Sequence, residues 1–340
     1  MREQTMKKII FTTLLITLLS NSALAKEESM LSNINSIVSN QSCFAGERSN
    51  YEGFIKYSLK EIKRSFGRKV SRLTVDILKR RLSQSRFEDL RNSYDCQLFT
   101  YKVDNISVGG FYLNSKAKNT QKISPLKPLM IFNRGGNGDF GRITLLTMLR
   151  NTPIVDAGYV VMASQYRQED EFGGKDLNDV LDLVTIGKSL PIVNSSSVHM
   201  MGVSRGGMMT YMAARKLKTL KSIIVWAGPT NLEGLLPLRP EMERVYQARI
   251  PNYKNQKSTE LSKRSVINWS KELDPNLPIL ILHGDADKAV DVTHATTFAK
   301  QLEKNNQPHK LVVYENDDHG LRKNNKQAYN EIIQWMNNNQ

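Results

Sequence analysis

The residues with the clearest chemical signature lie in the segment 202–207, which reads GVSRGG. An apolar segment, 198–203, leads into Ser204, and a segment with helical spacing, 208–217, follows it. A G-x-S-x-G run between a strand and a helix is typical of a nucleophile elbow, a sharp turn that lifts a serine hydroxyl above a sheet. Glycine is needed because this strained turn leaves no room for side chains beside the serine. The segment therefore predicts acyl transfer, with Ser204 as the nucleophile.

A serine nucleophile of this kind needs an acid and a base that follow it in the chain, each after its own strand. The apolar segment 279–282 is followed by HGDAD at 283–287, and the apolar segment 311–314 is followed by DDHG at 317–320. Open α/β sheets place their ligands just past the carboxyl ends of strands, which is where both polar segments lie. The aspartates close enough in sequence to serve as the acid are Asp285, Asp287, Asp291, Asp317 and Asp318.

Together these motifs resemble the catalytic domain of the prolyl oligopeptidase family, which has the α/β-hydrolase fold. The family carries G-x-S-x-G-G, H-G-x-x-D-x-x-V and a D-H-G-like ending, and this chain has them at 202–207, 283–290 and 318–320. The resemblance extends over about residues 96–340. It implies a serine peptidase in this part of the chain.

The resemblance also implies roles for single residues. The H-G-x-x-D spacing selects Asp287 as the acid that orients the base, with Asp285 as the alternative. His319, in the D-H-G motif, is the base, while His283 is expected to support its loop. Of the other three histidines, we expect one to be packed inside a strand and two to lie on the surface: His199, and then His294 and His309.

The oxyanion of an acyl-transfer reaction needs two preorganised hydrogen-bond donors. The backbone N–H of Arg205, directly after the nucleophile, is expected to supply one. The other should come from the segment 133–136, which reads NRGG where family members usually have H-G-G or Y-G-G. The second donor is then either the backbone N–H of Gly135 or the guanidinium of Arg134, and both stay open at this point. An arginine at this place would also suit a substrate carboxylate.

Strand and helix patterns alternate from residue 129 onwards. Such alternation predicts a mostly parallel sheet with helices on both faces, in agreement with an α/β-hydrolase fold. Residues 230–275 interrupt the alternation with mixed polar and aromatic sequence, so they are a candidate cap or substrate-side insertion. The predicted strands of this part are 129–132, 159–163, 198–203, 223–226, 279–282 and 311–314, and the predicted helices are 177–190, 208–217 and 295–302.

The first 25 residues have the pattern of a secretory signal peptide. Lysines at 7 and 8 precede an apolar run at 9–19, and the small-x-small sequence ALA at 23–25 precedes Lys26. A run of about 11 apolar residues is too short to cross a bilayer, which takes about 20. We therefore expect removal of residues 1–25, no stable membrane insertion, and a periplasmic or secreted protein.

Residues 26–95 are predicted to form an N-terminal helical extension, ahead of a catalytic domain at 96–340. About 70 residues are too few for the β-propeller that many members of the family carry. Between residues 51 and 91 there are 12 Lys or Arg and 5 Asp or Glu. This excess indicates a solvated helix face, with weak attraction to anionic surfaces as the alternative. Aromatic residues are not interleaved with the charges, so nucleic acid is not an expected partner.

Cys43 and Cys96 are the only two cysteines in the chain. In an oxidising compartment such a pair predicts a disulfide, which would stabilise the fold by roughly 4 kcal/mol through the entropy of the closed loop. The histidines and cysteines lack the spacing of a metal site, and acyl transfer by serine needs no cofactor, so we expect neither.

The function predicted from the sequence is that of an exported serine hydrolase that cleaves peptide or aminoacyl bonds through a Ser-Asp-His triad and an acyl-enzyme. The alternative is a carboxylic ester hydrolase with the same triad, since loss of a propeller would open the site. A binding protein that retains the fold without turnover is a third interpretation, which a complete triad disfavours. The expected partner is a peptide or a small ester substrate.

Overall fold

A computed structural model describes residues 30–116 and 125–340 of the protein. The predicted signal peptide, 1–25, lies outside the described residues. The described strands form one sheet of nine, in the order β1-β2-β3-β5-β4-β6-β7-β8-β9. Their bounds are β1 Ile37–Ser42, β2 Tyr94–Val103, β3 Ile106–Ser115, β4 Lys127–Asn133, β5 Val160–Ser164, β6 Val193–Val203, β7 Ser222–Trp226, β8 Ile279–Gly284 and β9 His309–Tyr314.

The strands β4 to β9 run parallel to one another, whereas β1, β2 and β3 are antiparallel and join the sheet at β5. The mostly parallel sheet predicted from the sequence is thus confirmed. The register sets Asn133 beside Gly202, and Val203 beside Trp226. Because the strands are parallel, their carboxyl ends and the polar segments that follow them lie at one edge of the sheet.

Twelve α-helices cover the described sheet, and they divide between its two faces. Side chains of β4 alternate between the two cores, with Leu129 and Ile131 in one and Met130 and Phe132 in the other. Helices α6 to α11 pack on the first core, and α1 to α5 with α12 pack on the second. The helices are α1 Tyr51–Phe66, α2 Val75–Arg81, α3 Gln84–Ser93, α4 Leu145–Leu149, α5 Thr152–Asp156, α6 Asp176–Lys188, α7 Arg205–Lys216, α8 Leu232–Leu235, α9 Met242–Arg249, α10 Tyr253–Arg264, α11 Thr293–Lys304 and α12 Asn325–Asn338.

The N-terminal extension differs from the prediction because it is not purely helical. Its residues Ile37–Ser42 form β1, an edge strand that pairs with β2. The strand reads IVSNQS, and so short and polar a segment gives no clear alternation of apolar residues. Cys43 follows this strand and is joined by a disulfide to Cys96 on β2. The extension is therefore part of the same sheet as the rest of the described chain.

No helix in the described ranges has both the length and the apolar composition that crossing a bilayer requires.

Candidate active site

Ser204 lies in a strained turn between β6 and α7. Its backbone has φ +57° and ψ −127°, a conformation that costs a residue with a side chain of the order of 1–3 kcal/mol. The turn is held by two short backbone contacts: the N–H of Ser204 donates to the carbonyl of Trp226 at 2.8 Å, and the carbonyl of Ser204 accepts the N–H of Gly207 at 2.8 Å. Strain that is held in place at one serine is typical of a nucleophile.

The glycines around Ser204 are required by close backbone contacts. A β-carbon at Gly202 would overlap the carbonyl oxygen of Gly206, and one at Gly206 would lie 2.8 Å from the carbonyl oxygen of Arg134. Both contacts are closer than a β-carbon tolerates, so a side chain at either position would force the backbone of the turn to move. The G-x-S-x-G run is thus a steric requirement of this turn.

Asp287 lies in the loop that follows β8, residues 285–292, which we call the acid loop. Its Oδ1 accepts the backbone N–H groups of Ala289 at 2.7 Å and Val290 at 3.0 Å. Its Oδ2 lies 2.7 Å from Nδ1 of His319 and 3.2 Å from Nε2 of His283. Burial acts to raise the pKa of Asp287, but the hydrogen bonds from the two histidines outweigh it and hold the pKa well below its usual range. The acid is therefore ionised at neutral pH.

An ionised carboxylate can only accept hydrogen bonds, so Nδ1 of His319 must carry the proton in this contact. The Nε2 of His319 is then unprotonated in the neutral ring and free to act as a base. The His319 side chain is 31 % exposed, whereas that of Asp287 is fully buried. The arrangement is that of a base open to substrate and oriented from behind by a buried acid.

Trp226, the last residue of β7, connects the nucleophile to the base. Its carbonyl accepts the N–H of Ser204, and its indole Nε1–H donates to the carbonyl of His319 at 3.2 Å. The sequence analysis did not identify this residue. Its position at the end of a parallel strand, one strand away from Ser204, is the signal that could have drawn attention to it.

Asp285, the alternative acid, is directed elsewhere. It is exposed, and its Oδ1 accepts the N–H of Asn316 at 2.6 Å. The other competing aspartates are also engaged in their own turns: Asp291 with Thr293, Asp317 with Asn324 and Asp318 with Gly320. Asp287 is the carboxylate that the structure brings to His319.

Two of the remaining histidines are buried. His199 lies inside β6, where its Nδ1 is 2.9 Å from Oγ of Ser222, as expected for a packed residue. His294 was predicted on the surface, and this is wrong: it is buried against Thr230. His294 lies on the face of α11 that packs against the core, whereas the mixed sequence around it indicated a surface position. Burial lowers the pKa of both rings to about 4.

The residues after β4, 134–142, form a second loop at the site, which we call the donor loop. The guanidinium of Arg134 is buried and bonds to backbone carbonyls: Nε to Gln165 at 2.9 Å, Nη1 to Gly135 at 3.1 Å, and Nη2 to Gly138 at 3.0 Å. The guanidinium is therefore committed to the loop itself. Its proposed roles as oxyanion donor or as ligand of a substrate carboxylate do not fit this geometry.

Gly135 lies next to the nucleophile. A β-carbon on Gly135 would be 3.1 Å from the β-carbon of Ser204. The backbone N–H groups of Gly135 and Arg205 have no acceptor among the described residues. These two N–H groups are thus the pair available for an oxyanion, in agreement with the backbone alternative derived from the sequence.

The side chain of Arg205 is a functional element that the sequence analysis missed. It is buried and pairs with Asp176 and, at 3.0 Å, with Asp170. Its Nη1 donates to the carbonyl of Gly136 at 2.9 Å, so this residue joins the nucleophile turn to the donor loop. The acidic segment 169–176 in an otherwise basic chain was the available signal.

Tyr166 contacts both buried arginines of the site, Arg134 and Arg205. Its ring lies 4.9 Å from the guanidinium carbon of Arg134 and 5.1 Å from that of Arg205. Its hydroxyl donates to the carbonyl of Arg134 at 3.2 Å. Both guanidinium groups are thus within the range of a cation–π attraction to this one ring.

The N-terminal extension also reaches the donor loop, through the end of α1. The N–H of Gly141 donates to the carbonyl of Ser65 at 3.1 Å, and Oγ of Ser65 donates to the carbonyl of Arg142 at 3.0 Å. The rings of Phe66 and Phe140 meet edge to face at 5.9 Å. The donor loop is therefore fixed by residues from before and after it in the chain.

No group of three His, Cys, Asp or Glu side chains within residues 30–116 and 125–340 is arranged to hold a metal ion. The chemistry on offer is that of the serine, the histidine, the carboxylate and the two backbone donors.

Comparison with known proteins supports this assignment of the site. A model of the prolyl oligopeptidase family matches residues 151–340, which include Ser204, Asp287 and His319. Uncharacterized peptidase YtmA of Bacillus subtilis is 24 % identical over 209 residues, which cover 58 % of this chain and 80 % of that protein.

Dipeptidyl peptidase family member 6 of Caenorhabditis elegans is 28 % identical over 194 residues, which cover 51 % of this chain and 26 % of that protein. Among solved structures, a puromycin-hydrolyzing peptidase of Mycobacterium tuberculosis superposes with a TM-score of 0.63 at 17 % identity, covering 72 % of this chain and 39 % of the other. This likeness confirms the α/β-hydrolase fold. Both matches span well under half of these longer proteins.

The family model covers more than half of the residues of this chain. The chain therefore belongs to the prolyl oligopeptidase family and is a serine peptidase of that family.

Proposed function

We propose that the protein hydrolyses peptide or aminoacyl bonds with Ser204, His319 and Asp287 as its triad. Nε2 of His319 takes the proton of Ser204 as Oγ forms a bond to the carbonyl carbon of the substrate. The oxyanion is stabilised by the N–H groups of Gly135 and Arg205. The C–N bond then breaks, and the imidazolium gives its proton to the leaving amine.

Water completes the cycle by the same route. His319 takes a proton from water as the water oxygen attacks the acyl-enzyme, and Oγ of Ser204 leaves with the proton from the imidazolium. The carboxylate of Asp287 keeps its negative charge throughout, where it stabilises the imidazolium of both steps.

One observation carries the proposal: the ionised Asp287 accepts Nδ1–H of His319 at 2.7 Å while Trp226 ties His319 to the nucleophile turn. This contact sets the tautomer that a general base needs. Peptide bonds are favoured as substrates because the relatives named above are described as peptidases.

The experiment has two arms. In the first, a fluorophosphonate probe is expected to label the wild type at a single serine and to leave Ser204→Ala unlabelled with an unchanged circular dichroism spectrum. In the second, matched aminoacyl amides and short-chain esters with the same acyl group are compared by kcat/KM. A peptidase cleaves the amides at a rate that Ser204→Ala abolishes. Cleavage confined to the esters contradicts the peptidase proposal and supports the ester hydrolase, and labelling of Ser204→Ala at wild-type level contradicts both.

We further propose that the protein is exported and begins at Lys26 after cleavage. Support comes from the basic and apolar residues at 7–19 and from the Cys43–Cys96 disulfide, a bond typical of oxidising compartments. Intact-mass measurement of protein from the periplasm and from the medium tests both points. A mass that retains residues 1–25, or two thiols that react with iodoacetamide without reduction, contradicts the proposal.

A further inference from the structure

Helix α9, in the segment 230–275, is fixed to the residue that follows the nucleophile. Tyr246 of this helix is fully buried, and its ring meets the ring of Phe172 edge to face at 5.1 Å. The Phe172 ring in turn lies 4.7 Å from the guanidinium carbon of Arg205. The position of α9 is thus set by the same buried cluster that holds the active site.

Arg249 is the last residue of α9 and lies three residues after Tyr246, on the same side of the helix. Its guanidinium covers Gly138 of the donor loop: a β-carbon built on Gly138 would be 3.1 Å from Cζ of Arg249. Gly138 also has φ +51°, so glycine is required there for both reasons. Arg249 therefore lies at the rim of the site, against the donor loop. Gly135 of the same loop lies next to Ser204.

The charge of Arg249 is not matched by a carboxylate. No acid lies within ion-pair distance of it among the described residues. Asp170 is close enough to feel its charge, but the carboxylate of Asp170 already accepts the N–H of Gly138 at 2.6 Å and pairs with Arg205 at 3.0 Å. The buried charges beneath the rim balance one another, two against two: Arg134 and Arg205 against Asp170 and Asp176.

The neighbouring acid on the donor loop, Asp139, is directed away from α9. Its Oδ1 lies 3.4 Å from Nη2 of Arg64 and 3.3 Å from Nη1 of Arg142. It is therefore occupied on the side of α1. Arg249 remains a half-exposed guanidinium with free donors beside Gly138 of the donor loop.

We propose that Arg249 is a specificity-determining residue that binds a carboxylate of the substrate, a role that rests on the proposed function of the site. A guanidinium and a carboxylate match as a two-point hydrogen-bonded pair, which is stronger than contacts between neutral groups. Gly138 is three residues from Gly135, and an extended peptide advances about 3.4 Å per residue, so the carboxylate lies within a few residues of the cleaved bond. The favoured substrates are peptides that carry a carboxylate near the cleaved bond.

Such a carboxylate can come from an Asp or Glu side chain or from the free carboxyl terminus of a short peptide. The experiment therefore compares two peptide series of identical length. In one, Glu is exchanged for Gln at each position of carboxyl-amidated peptides. In the other, a neutral peptide has either a free or an amidated terminus. The ratio of kcat/KM between charged and neutral members is measured for wild type, Arg249→Gln, Arg249→Lys and Arg244→Gln.

For wild type the expected ratio is about 10- to 100-fold in favour of the charged member of one series, as for a charge-assisted pair at a half-exposed site. The ratio falls to within about threefold of one in Arg249→Gln and is partly retained in Arg249→Lys. Arg244, an exposed arginine on the same helix, is the control, and Arg244→Gln keeps the wild-type ratio. The wild-type ratio also decreases with added salt, because the pair is screened.

Equal rates for charged and neutral peptides in wild type overturn the inference, and so does an unchanged ratio in Arg249→Gln. A second measurement does not depend on turnover: protection of Ser204 from a fluorophosphonate by an acidic peptide, compared with its amidated analogue. Preferential protection that Arg249→Gln removes supports the inference even if the peptides are not cleaved, in which case only the proposed peptidase activity fails. Absence of preferential protection together with equal rates counts against Arg249 alone.

Discussion

The acid loop and the donor loop border the same serine but are held in different ways. In the acid loop, Asp287 is fixed by Ala289 and Val290, two and three residues further on, and by His283 just before it. The donor loop is fixed by distant groups. They come from α1, from the end of β5, from the segment 170–176, from the nucleophile turn and from α9, as seen at Ser65, Gln165, Asp170, Arg205 and Arg249.

This difference explains why one loop has a readable motif and the other does not. Contacts between residues that are close in sequence require those residue types at a fixed spacing, so the H-G-x-x-D motif can be recognised in the amino-acid sequence. Contacts between distant residues fix only a shape, which several residue types can fill. The comparison predicts that single changes in the acid loop act on chemistry, whereas changes around the donor loop act on stability and on chemistry together.

The largest expected effect comes from Asp287→Asn in the acid loop. The carbonyl oxygen of the amide stays on the N–H groups of Ala289 and Val290 and its NH2 group faces Nδ1 of His319, so the wrong tautomer is stabilised and kcat falls by about 10⁴-fold. The matched control is Asp285→Asn, because the carboxylate of Asp285 accepts only the N–H of Asn316 in this turn. Steady-state kinetics of both variants beside wild type make the measurement.

The assignment of Asp287 as the acid fails if Asp285→Asn shows the large loss of kcat and Asp287→Asn keeps a kcat near that of wild type.

The next effect concerns the buried support of the donor loop. Asp176→Asn leaves the buried Arg205 with only Asp170 as a charged partner, and removal of one member of a buried ion pair costs about 3 kcal/mol of unfolding free energy. Asp139→Asn is the control, because its ion pairs are exposed and contribute below about 1 kcal/mol. Urea denaturation compares the two, and a similar loss in both variants contradicts the account of the buried pair.

Gly136→Ala tests the shape of the donor loop. Gly136 has φ +72°, and a β-carbon there would overlap the carbonyl oxygen of Phe140, so the loop must move. Displacement of the Gly135 N–H is expected to lower kcat by about 100-fold, the effect of losing one oxyanion donor. Gly158→Ala is the control: it has φ +99° but open space around it, so it should lose stability and keep kcat. Equal kcat in both variants would falsify this placement of the second donor.

The smallest effect is a pH dependence from Glu61 on α1. Its carboxylate accepts the N–H of Leu145 at 3.0 Å, at the start of α4. Burial raises its pKa to about 7 from an ordinary 4.5, although the Leu145 N–H opposes the shift. The folded protein therefore keeps this proton to higher pH than the unfolded chain, and stability is lost as the pH rises from about 4.5 through 7.

Glu61→Gln keeps the acceptor without the charge. Its unfolding free energy relative to wild type should increase by about 1 kcal/mol between pH 5 and pH 8, less than the full shift because the group is partly solvated. Urea titrations at a series of pH values give this difference. A constant offset at every pH means that Glu61 does not titrate in this range.

The sequence allowed the central sheet to be predicted because its strands are apolar on both faces and end at polar loops. The hairpin of β2 and β3 has an equally clear signal in its turn, since Asp104 and Asn105 favour the left-handed conformation that the turn requires, at φ +47° and +65°. The strand β1 was missed because an edge strand needs few apolar residues. The short helices α4 and α5, five residues each, were missed because one turn of helix has too little periodicity to detect.

Within the site, Ser204 was predictable because the strain of its turn demands glycines at fixed positions. Asp287 and His319 were predictable from motifs that follow strands. The bracing role of Arg205 was not, since nothing in the sequence states that residues 170, 176 and 205 meet. Arg134 was misread for the same reason: its carbonyl partners lie on a loop whose path only the folded chain defines.

Because the contacts that fix the donor loop come from distant parts of the chain, they bear on the order in which the protein folds. Contacts between residues far apart in the chain close late, because large loops must be ordered before such contacts form. The donor loop is completed only when α1, near residue 65, and α9, near residue 249, are both in place. During synthesis the nucleophile turn can form once residues 193–226 are available. A chain synthesised only to residue 226 would thus hold Ser204 while the Gly135 donor is not yet in place and Asp287 and His319 are not yet made, which keeps the nascent enzyme inactive until most of it has folded.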